Sequence, residues 1–315
     1  MEELPADVRR FVQHVQRLAP GSAPLDIVLS TLAYTEANPG PLITEEEYQA
    51  LLSALMALGR ALDRSWFEDE KRWGGMQGLI LALHALAVSG WVLYQGVEAQ
   101  DGRRQYDPSG LAAVARTALE VAVAFNGVFV RPAADPEDSE LRFRLWLLAG
   151  TRLFLDQGYP QRDENARQAR AEAEQAVAEH GPRIDEILSR LKWKPQRIAS
   201  TIRNGDWRLG RREETYANAL IGPAFARHVF AFLSSHVHAD SLAARQVVAL
   251  RTYPERWDQF AITALRTIAV AMARTITDVV ELVPNLPIHA PLPKISAIYA
   301  VYHSDLAVHW PLKPG

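Results

Sequence analysis

Apolar side chains recur three and four positions apart through most of this chain, and that spacing constrains its fold more than any other feature. One face of an α-helix collects residues at i, i+3, i+4 and i+7, whereas a half-buried strand collects every second residue. Val8, Phe11, Val12, Val15 and Leu18 fit the helical template, as do Tyr48, Leu51, Leu52, Leu55, Met56 and Leu62. No set of alternating runs and no short repeat stands beside them. The expectation is an all-α protein, a multi-helix bundle with an inserted charged helical arm.

Local signals divide the helices. Pro5 precedes the first, and a second over residues 24–37 stops at Asn38-Pro39-Gly40. Thr44 followed by Glu45, Glu46 and Glu47 is a capping box, in which the Thr hydroxyl and the third Glu satisfy free N–H groups reciprocally. Gly74-Gly75 precede an apolar helix around His84 that is expected to end near Asp101-Gly102. Asp107-Pro108-Ser109 open the next, to about Val130, and Asp135-Pro136 another, through Trp146 and Leu153 to Gln157-Gly158.

From Gln161 to His180 the composition turns to Arg, Glu, Gln and Ala, the mark of a solvated helix, and Gly181-Pro182 reads as a break. Residues 159–214 are taken as the arm. Later helices are expected over 216–251, bent near Asp240, and over 254–282; Pro284, Pro287, Pro291 and Pro293 then mark a loop. The organisation read from this is an N-terminal helical segment (1–69), a core (70–283) carrying the arm, and a Pro-rich tail (284–315).

A length of 315 residues and a hydrophobic share of 48% allow a sizeable core. The net charge of −3 excludes a polycationic protein, so any affinity for nucleic acid must come from a local patch. Absence of cysteine rules out disulfides, thiolate nucleophiles and Cys-based zinc sites. The opening residues lack the basic and apolar regions of a signal peptide, and a cytoplasmic protein is expected. Residues 78–94 are the nearest thing to a membrane span. They number 17 and carry His84 and Ser89 near their middle, so a buried core helix and no membrane partner is the reading.

Phosphate-loop, dinucleotide, zinc-protease and nucleophile-elbow motifs are all absent, which leaves no cofactor and no recognisable metal set. His236 and His238 point about 200° apart on a helix and cannot share an ion; His236 and Asp240 are better spaced but lack a third ligand. The most suggestive stretch is 230–241, FAFLSSHVHADS. On one continuous helix, Arg227, Ser234, His238, Ser241 and Arg245 fall in a narrow stripe. Arg116 and Glu120 sit one turn apart in a helix of almost wholly apolar residues. Meeting across a helix–helix interface, Arg116, Glu120, Ser234 and His238 form a candidate catalytic centre. Glu120 would orient or deprotonate His238 while an Arg binds an anion. The competing reading is a satisfied polar network that fixes helix register.

A second candidate is the stretch 190–212, with eight Lys/Arg against one Asp. Lys192, Trp193, Lys194, Arg197, Arg203, Trp207, Arg208, Arg211 and Arg212 combine cations for phosphates with flat rings for bases, the composition of an RNA- or DNA-contacting surface. The alternative is a solvated arm whose two Trp anchor it to the core. Homo-oligomerisation is open on either reading.

RTALE at 116–120, the charged arm, Tyr216 and LSSHVHADS at 233–241 together resemble a bacterial all-helical family of unknown function. Its pattern is R-x-x-x-E on an early helix and L-S-x-x-x-H-(G/A) on a later one, matched here by Arg116, Glu120, Leu233, Ser234 and His238. That family is distantly similar to HEPN-type helical ribonucleases, which place an Arg four to six residues before a His on one helix. Here Arg227 and His236 enclose eight residues, while Arg10 and His14 enclose three and Arg9 and His14 four, outside the two helices that carry the resemblance. The resemblance implies a variant centre of Arg116, Glu120 and His238. It also implies metal-independent phosphodiester cleavage at most, in a stress or phage-defence setting. A non-catalytic interaction or scaffold protein is the alternative.

Overall fold

The computed structural model describes residues 43–62, 70–100, 102–158, 163–210, 215, 223–238 and 241–283. The helices expected at 8–18 and 24–37 and the Pro-rich tail lie outside them. The protein is an all-α, multi-helix fold with almost no strand. Its chain forms two compact units, residues 1–125 with 220–315, and residues 126–219.

In the first unit, α1 (Glu45–Ala61) starts at the capping box read from the sequence, with Glu47 N bonded to Thr44 Oγ1 and Thr44 N to Glu47 Oε2. Its buried face is Tyr48, Leu51, Leu52, Leu55 and Leu58. Helix α2 (Glu70–Gln95) begins earlier than expected and runs through Gly74 and Gly75. Its buried residues, Met76, Ile80, Leu83, Ala87 and Trp91, follow helical spacing. A ribbon of β1 (Val97–Glu98) and β2 (Arg104–Gln105) ends it, in register Val97 to Gln105, where a longer helix was expected.

After α3 (Pro108–Phe125), the unit resumes with α7 (Pro223–Val237), α8 (Ser241–Thr252) and α9 (Trp257–Leu282). Helix α9 packs against α1, α2 and α3 and is buried nearly all round. Small residues along it, Ala261, Ala264, Ala269, Ala271 and Ala273, admit neighbours closely. Its buried Arg274 is paired with Asp278 one turn on, as a charge in that environment requires. Trp257 stacks on Tyr106 at 4.6 Å and donates Nε1–H to the Tyr94 carbonyl, tying the start of α9 to the end of α2.

Among the described residues, three helical runs, Lys71–Gln95, Pro108–Ala133 and Pro254–Leu282, are long and apolar enough to cross a membrane by length and composition. They differ in cover: 33%, 61% and 89% of the respective apolar windows are buried. The helix around His84 is thus not the buried core helix expected, because only one of its faces meets the unit's interior.

The second unit begins where the helical chain widens into a π-turn at Asn126–Val130 and tightens into a 3₁₀ turn at Arg131–Ala134. Asp135 then caps α4 (Pro136–Asp156) through the Glu137 and Asp138 N–H groups. Phe129, Phe143 and Trp146 cluster at 5.7–6.2 Å. Helix α5 (Glu164–Arg190) is uninterrupted across Gly181-Pro182, against the expected break. Pro182 lacks the N–H that would reach the Ala178 carbonyl, a loss of the kind that ends helices in isolation. Here both flanks are held on α4: His180, Ile184, Ile187 and Leu188 are buried, and Arg183 is clamped by Glu140. A short helix unforeseen from the sequence, α6 (Pro195–Asn204), follows within the basic stretch.

The α4–α5 seam is ionic as well as apolar. Glu140 accepts from Arg144 Nε at 2.9 Å and from Arg183 Nε and Nη2 at 3.0 and 2.7 Å, while Arg144 Nη1 meets His180 Nδ1 at 3.0 Å. The Arg183 hydrogen bonds, backed by Arg144 and opposed by partial burial, hold the Glu140 carboxyl at about 2. A carboxyl depressed in the folded state contributes stability that is complete above its unfolded value, about 4.3, and is lost as pH falls through the folded value. Acid unfolding monitored by circular dichroism is expected to steepen between those limits. Glu140→Gln should flatten that dependence and lower stability at neutral pH; an unchanged acid limb in the variant would show that Glu140 does not carry it.

Candidate functional site

Two sets of side chains bear on function, one in each unit. In the first, α3 and α7 lie side by side, as the proposed interface requires. Arg116 and Glu120 are half-buried on α3, and the Arg116 guanidinium lies 4.6 Å from the centre of the Phe230 ring on α7. Ser234 is on the same helix one turn beyond, and its Oγ is buried without a hydrogen bond among the described residues. The stripe itself is corrected. Helix α7 ends at Val237 and a separate helix, α8, starts at Ser241, so Ser241 and Arg245 do not continue the 100° progression of α7. His238 caps the end of α7 with its N–H on the Ser234 carbonyl at 3.0 Å, and its side chain is exposed. Among the described residues, no hydrogen bond or ion pair joins it to Glu120. Of the four positions, Arg116 and Ser234 flank Phe230, and His238 stands apart at the helix end.

His236 occupies the enclosed position instead. It is 1% exposed, its Nε2 is 2.7 Å from Gln246 Oε1 on α8, and its ring meets Phe260 at 4.8 Å and Phe232 at 5.2 Å. Its Nε2 is satisfied by the neighbouring helix, which makes the ring a link between α7 and α8.

The second set lies in the second unit. A cleft of about 800 Å³ opens between α5 and α6, lined by Pro182, Asp185, Trp193, Ile198, Ile202 and Arg203, with Arg152 reaching in from α4. Trp193 carries the Arg197 guanidinium 3.7 Å above its ring. Lys192, Lys194, Arg197 and Arg203 are exposed. Arg152 Nη1 donates to the Arg203 carbonyl at 2.8 Å, while its Nε is buried without a partner among the described residues. Arg211 and Arg212 lie outside the described residues.

Trp207 differs from its expected role. It is 6% exposed, with its ring against Gly127, the Arg208 guanidinium 4.5 Å away, and its carbonyl bound by Arg142 Nη1. An enclosed ring has no face for a base, so any stacking falls to Trp193, and Trp207 packs inside the second unit. Arg152 and Asp185 were missed from the sequence because nothing in the spacing of α4 or α5 says which turn faces a cleft. Two prolines that line it, Pro182 and Pro195, were the available signal.

No family model, curated protein or solved structure matches the chain.

Proposed function

We propose that this protein binds single-stranded nucleic acid through the Arg- and Trp-lined cleft of its second unit. The observation that carries the reading is the Arg197–Trp193 stack at the edge of a cleft holding Arg152 and Arg203, with Lys192 and Lys194 exposed beside it. Guanidinium groups neutralise phosphates, an aromatic ring stacks on any base, and apolar walls such as Ile198 and Ile202 shelter the stack. A cytoplasmic stress or phage-defence role rests on the family resemblance alone.

Binding is better supported than cleavage. A general base needs a group that orients it, and the exposed His238 lacks one in Glu120. That observation favours, as the second reading, a non-catalytic interaction protein in which Arg116, Phe230 and Ser234 serve helix packing.

Fluorescence anisotropy with labelled oligonucleotides tests the proposal. Trp193→Ala is expected to weaken binding by about tenfold, in keeping with ~1–3 kcal/mol per stacked base. The triple change Lys192→Gln, Lys194→Gln, Arg203→Gln should reduce the log–log salt slope by about 2, at ~0.7 per phosphate contact. Equal retention of RNA and DNA by wild type and variants across salt would remove the reading. Strand cleavage that survives EDTA and disappears in His238→Ala would restore the catalytic one.

A further inference from the structure

The cleft between α5 and α6 holds one acidic side chain among the described residues, Asp185. Other carboxylates of α5 are engaged: Glu164 with Arg167, Glu174 with Arg170, and Glu186 with Arg183. Asp185 takes no hydrogen bond or ion pair among the described residues, although Arg152 and Arg203 line the same cleft. Its neighbours three and four positions away on the helix, Gly181, Pro182, Leu188 and Ser189, carry no cation, so α5 itself cannot pair it. In a cleft that receives an anionic strand, such a carboxylate repels phosphate and calls for donors from the ligand.

The end of α5 sets how far that carboxylate stands from the stacking ring. Trp193 N–H donates to the Leu188 carbonyl at 3.1 Å and Lys192 N–H to the Ser189 carbonyl at 2.9 Å, with Lys192 in the left-handed region at φ 58°. This Schellman turn folds the chain back and returns the Trp193 backbone to the level of Leu188 and Ser189. Asp185 precedes Ser189 by four residues on the same face of α5, about 6 Å along the axis. One helical turn therefore separates the level of the ring from the carboxylate, a span that a purine stacked on the ring covers. Arg197 lies 3.7 Å from the Trp193 ring but is not a wall of the cleft, so a base entering the cleft meets the other face.

We propose that this cleft selects guanine, with the Asp185 carboxylate accepting the N1–H and the exocyclic N2–H of a base stacked on Trp193. The inference rests on the strand-binding reading above. A carboxylate only accepts, and the Watson–Crick edge of guanine sets two adjacent donors before its two oxygens. Adenine and cytosine each place a ring-nitrogen acceptor beside one amino group, and uracil flanks one N–H with two carbonyls. Each of these brings an acceptor against the carboxylate and leaves a polar group unsatisfied. Charge orients the strand as well. Phosphates are driven from Asp185 toward Arg203 and the exposed Lys192 and Lys194, which turns the base edge inward.

Fluorescence anisotropy tests this with the full chain and short oligouridine strands that carry one central guanine, adenine, cytosine or hypoxanthine. The guanine strand should bind about tenfold tighter than the adenine strand, the scale of one bidentate base contact. Hypoxanthine keeps N1–H but lacks the amino group, and should fall between them. Asp185→Asn should abolish the guanine preference, because its amide turns a donor toward one of the two N–H groups. Asp185 is exposed, and circular dichroism checks that the variant keeps its helices. Trp193→Ala should weaken binding of every strand. Equal affinity of the wild type for all four strands, with Trp193→Ala still weakening them, would overturn guanine selection and leave strand binding standing. A guanine preference that persists in Asp185→Asn would overturn the role of Asp185. Failure to bind any of the strands would remove both readings.

Discussion

Gly205→Ala is expected to destabilise the second unit by about 2–5 kcal/mol, one of the two largest effects of a single side-chain change foreseen for this protein. Two costs act together. Gly205 ends α6 in the left-handed conformation, with φ 57° and ψ 39°, where a Cβ atom costs roughly 1–2 kcal/mol. A Cβ there would also stand 2.5 Å from the Ala149 Cα and 2.8 Å from its backbone nitrogen. Those atoms belong to the middle of α4 and have no rotamer to yield, so α6 itself must move away, at ~1–3 kcal/mol.

Hydrogen exchange across residues 164–205, with the denaturation midpoint, measures the loss. Gly205→Asn separates its parts, since asparagine tolerates the left-handed region but meets the same backbone. A loss below about 0.5 kcal/mol in Gly205→Ala, the scale of an ordinary surface substitution, would mean that α4 and α6 do not approach as described.

Tyr48→Ala should cost the first unit a comparable ~3–5 kcal/mol, the range for removing a large buried side chain. Tyr48 is wholly buried, stacks on Trp91 with ring centres 4.9 Å apart, and donates its hydroxyl to the Ala87 carbonyl at 2.7 Å. It joins α1 to α2 by area, by ring geometry and by a hydrogen bond. The bond is separable: Tyr48→Phe keeps the ring and should lose only about 1 kcal/mol. Its burial also pushes the phenol pKa well up, so the hydroxyl stays protonated through any ordinary alkaline titration. Urea unfolding of both variants, with Trp91→Leu added in a cycle, should return a Tyr48–Trp91 coupling of about 0.5–1.5 kcal/mol. If Tyr48→Phe proves as damaging as Tyr48→Ala, the hydroxyl rather than the ring is the larger contribution.

Features legible in advance were those whose physics is local. Thr44 with Glu47, and Asp135 before Pro136, satisfy free N–H groups within a few residues of themselves, and both helix starts lie where the sequence put them. Readings failed where a partner distant in sequence overrides a local signal, or where no local signal is present. Pro182 signals a break in isolation, yet Glu140 and the buried His180 and Ile184 hold the helix through it. Gly74-Gly75 reads as a start, yet α2 extends through both. In the candidate site, the apposition of Arg116 with the helix of Ser234 was foreseen from their apolar surroundings. The position of His238 was not, because it turns on where α7 stops, and the stretch after Val237 carries neither proline nor glycine to announce an end.

Sequence alone determined the class of this protein and the character of its parts. Helical periodicity made it all-α, and local composition placed one cationic, Trp-bearing stretch in a chain of slightly negative net charge. Tertiary structure decided which of those side chains remain accessible. Trp193 lines a cleft while Trp207 fills an interior, and α9 is enclosed while α2, the more apolar of the two, keeps an open face. The reason is that hydrophobicity favours burying a helix but fixes neither how much of it is covered nor against what. That is settled only when the neighbouring helices, and the backbone distances they permit, are in place.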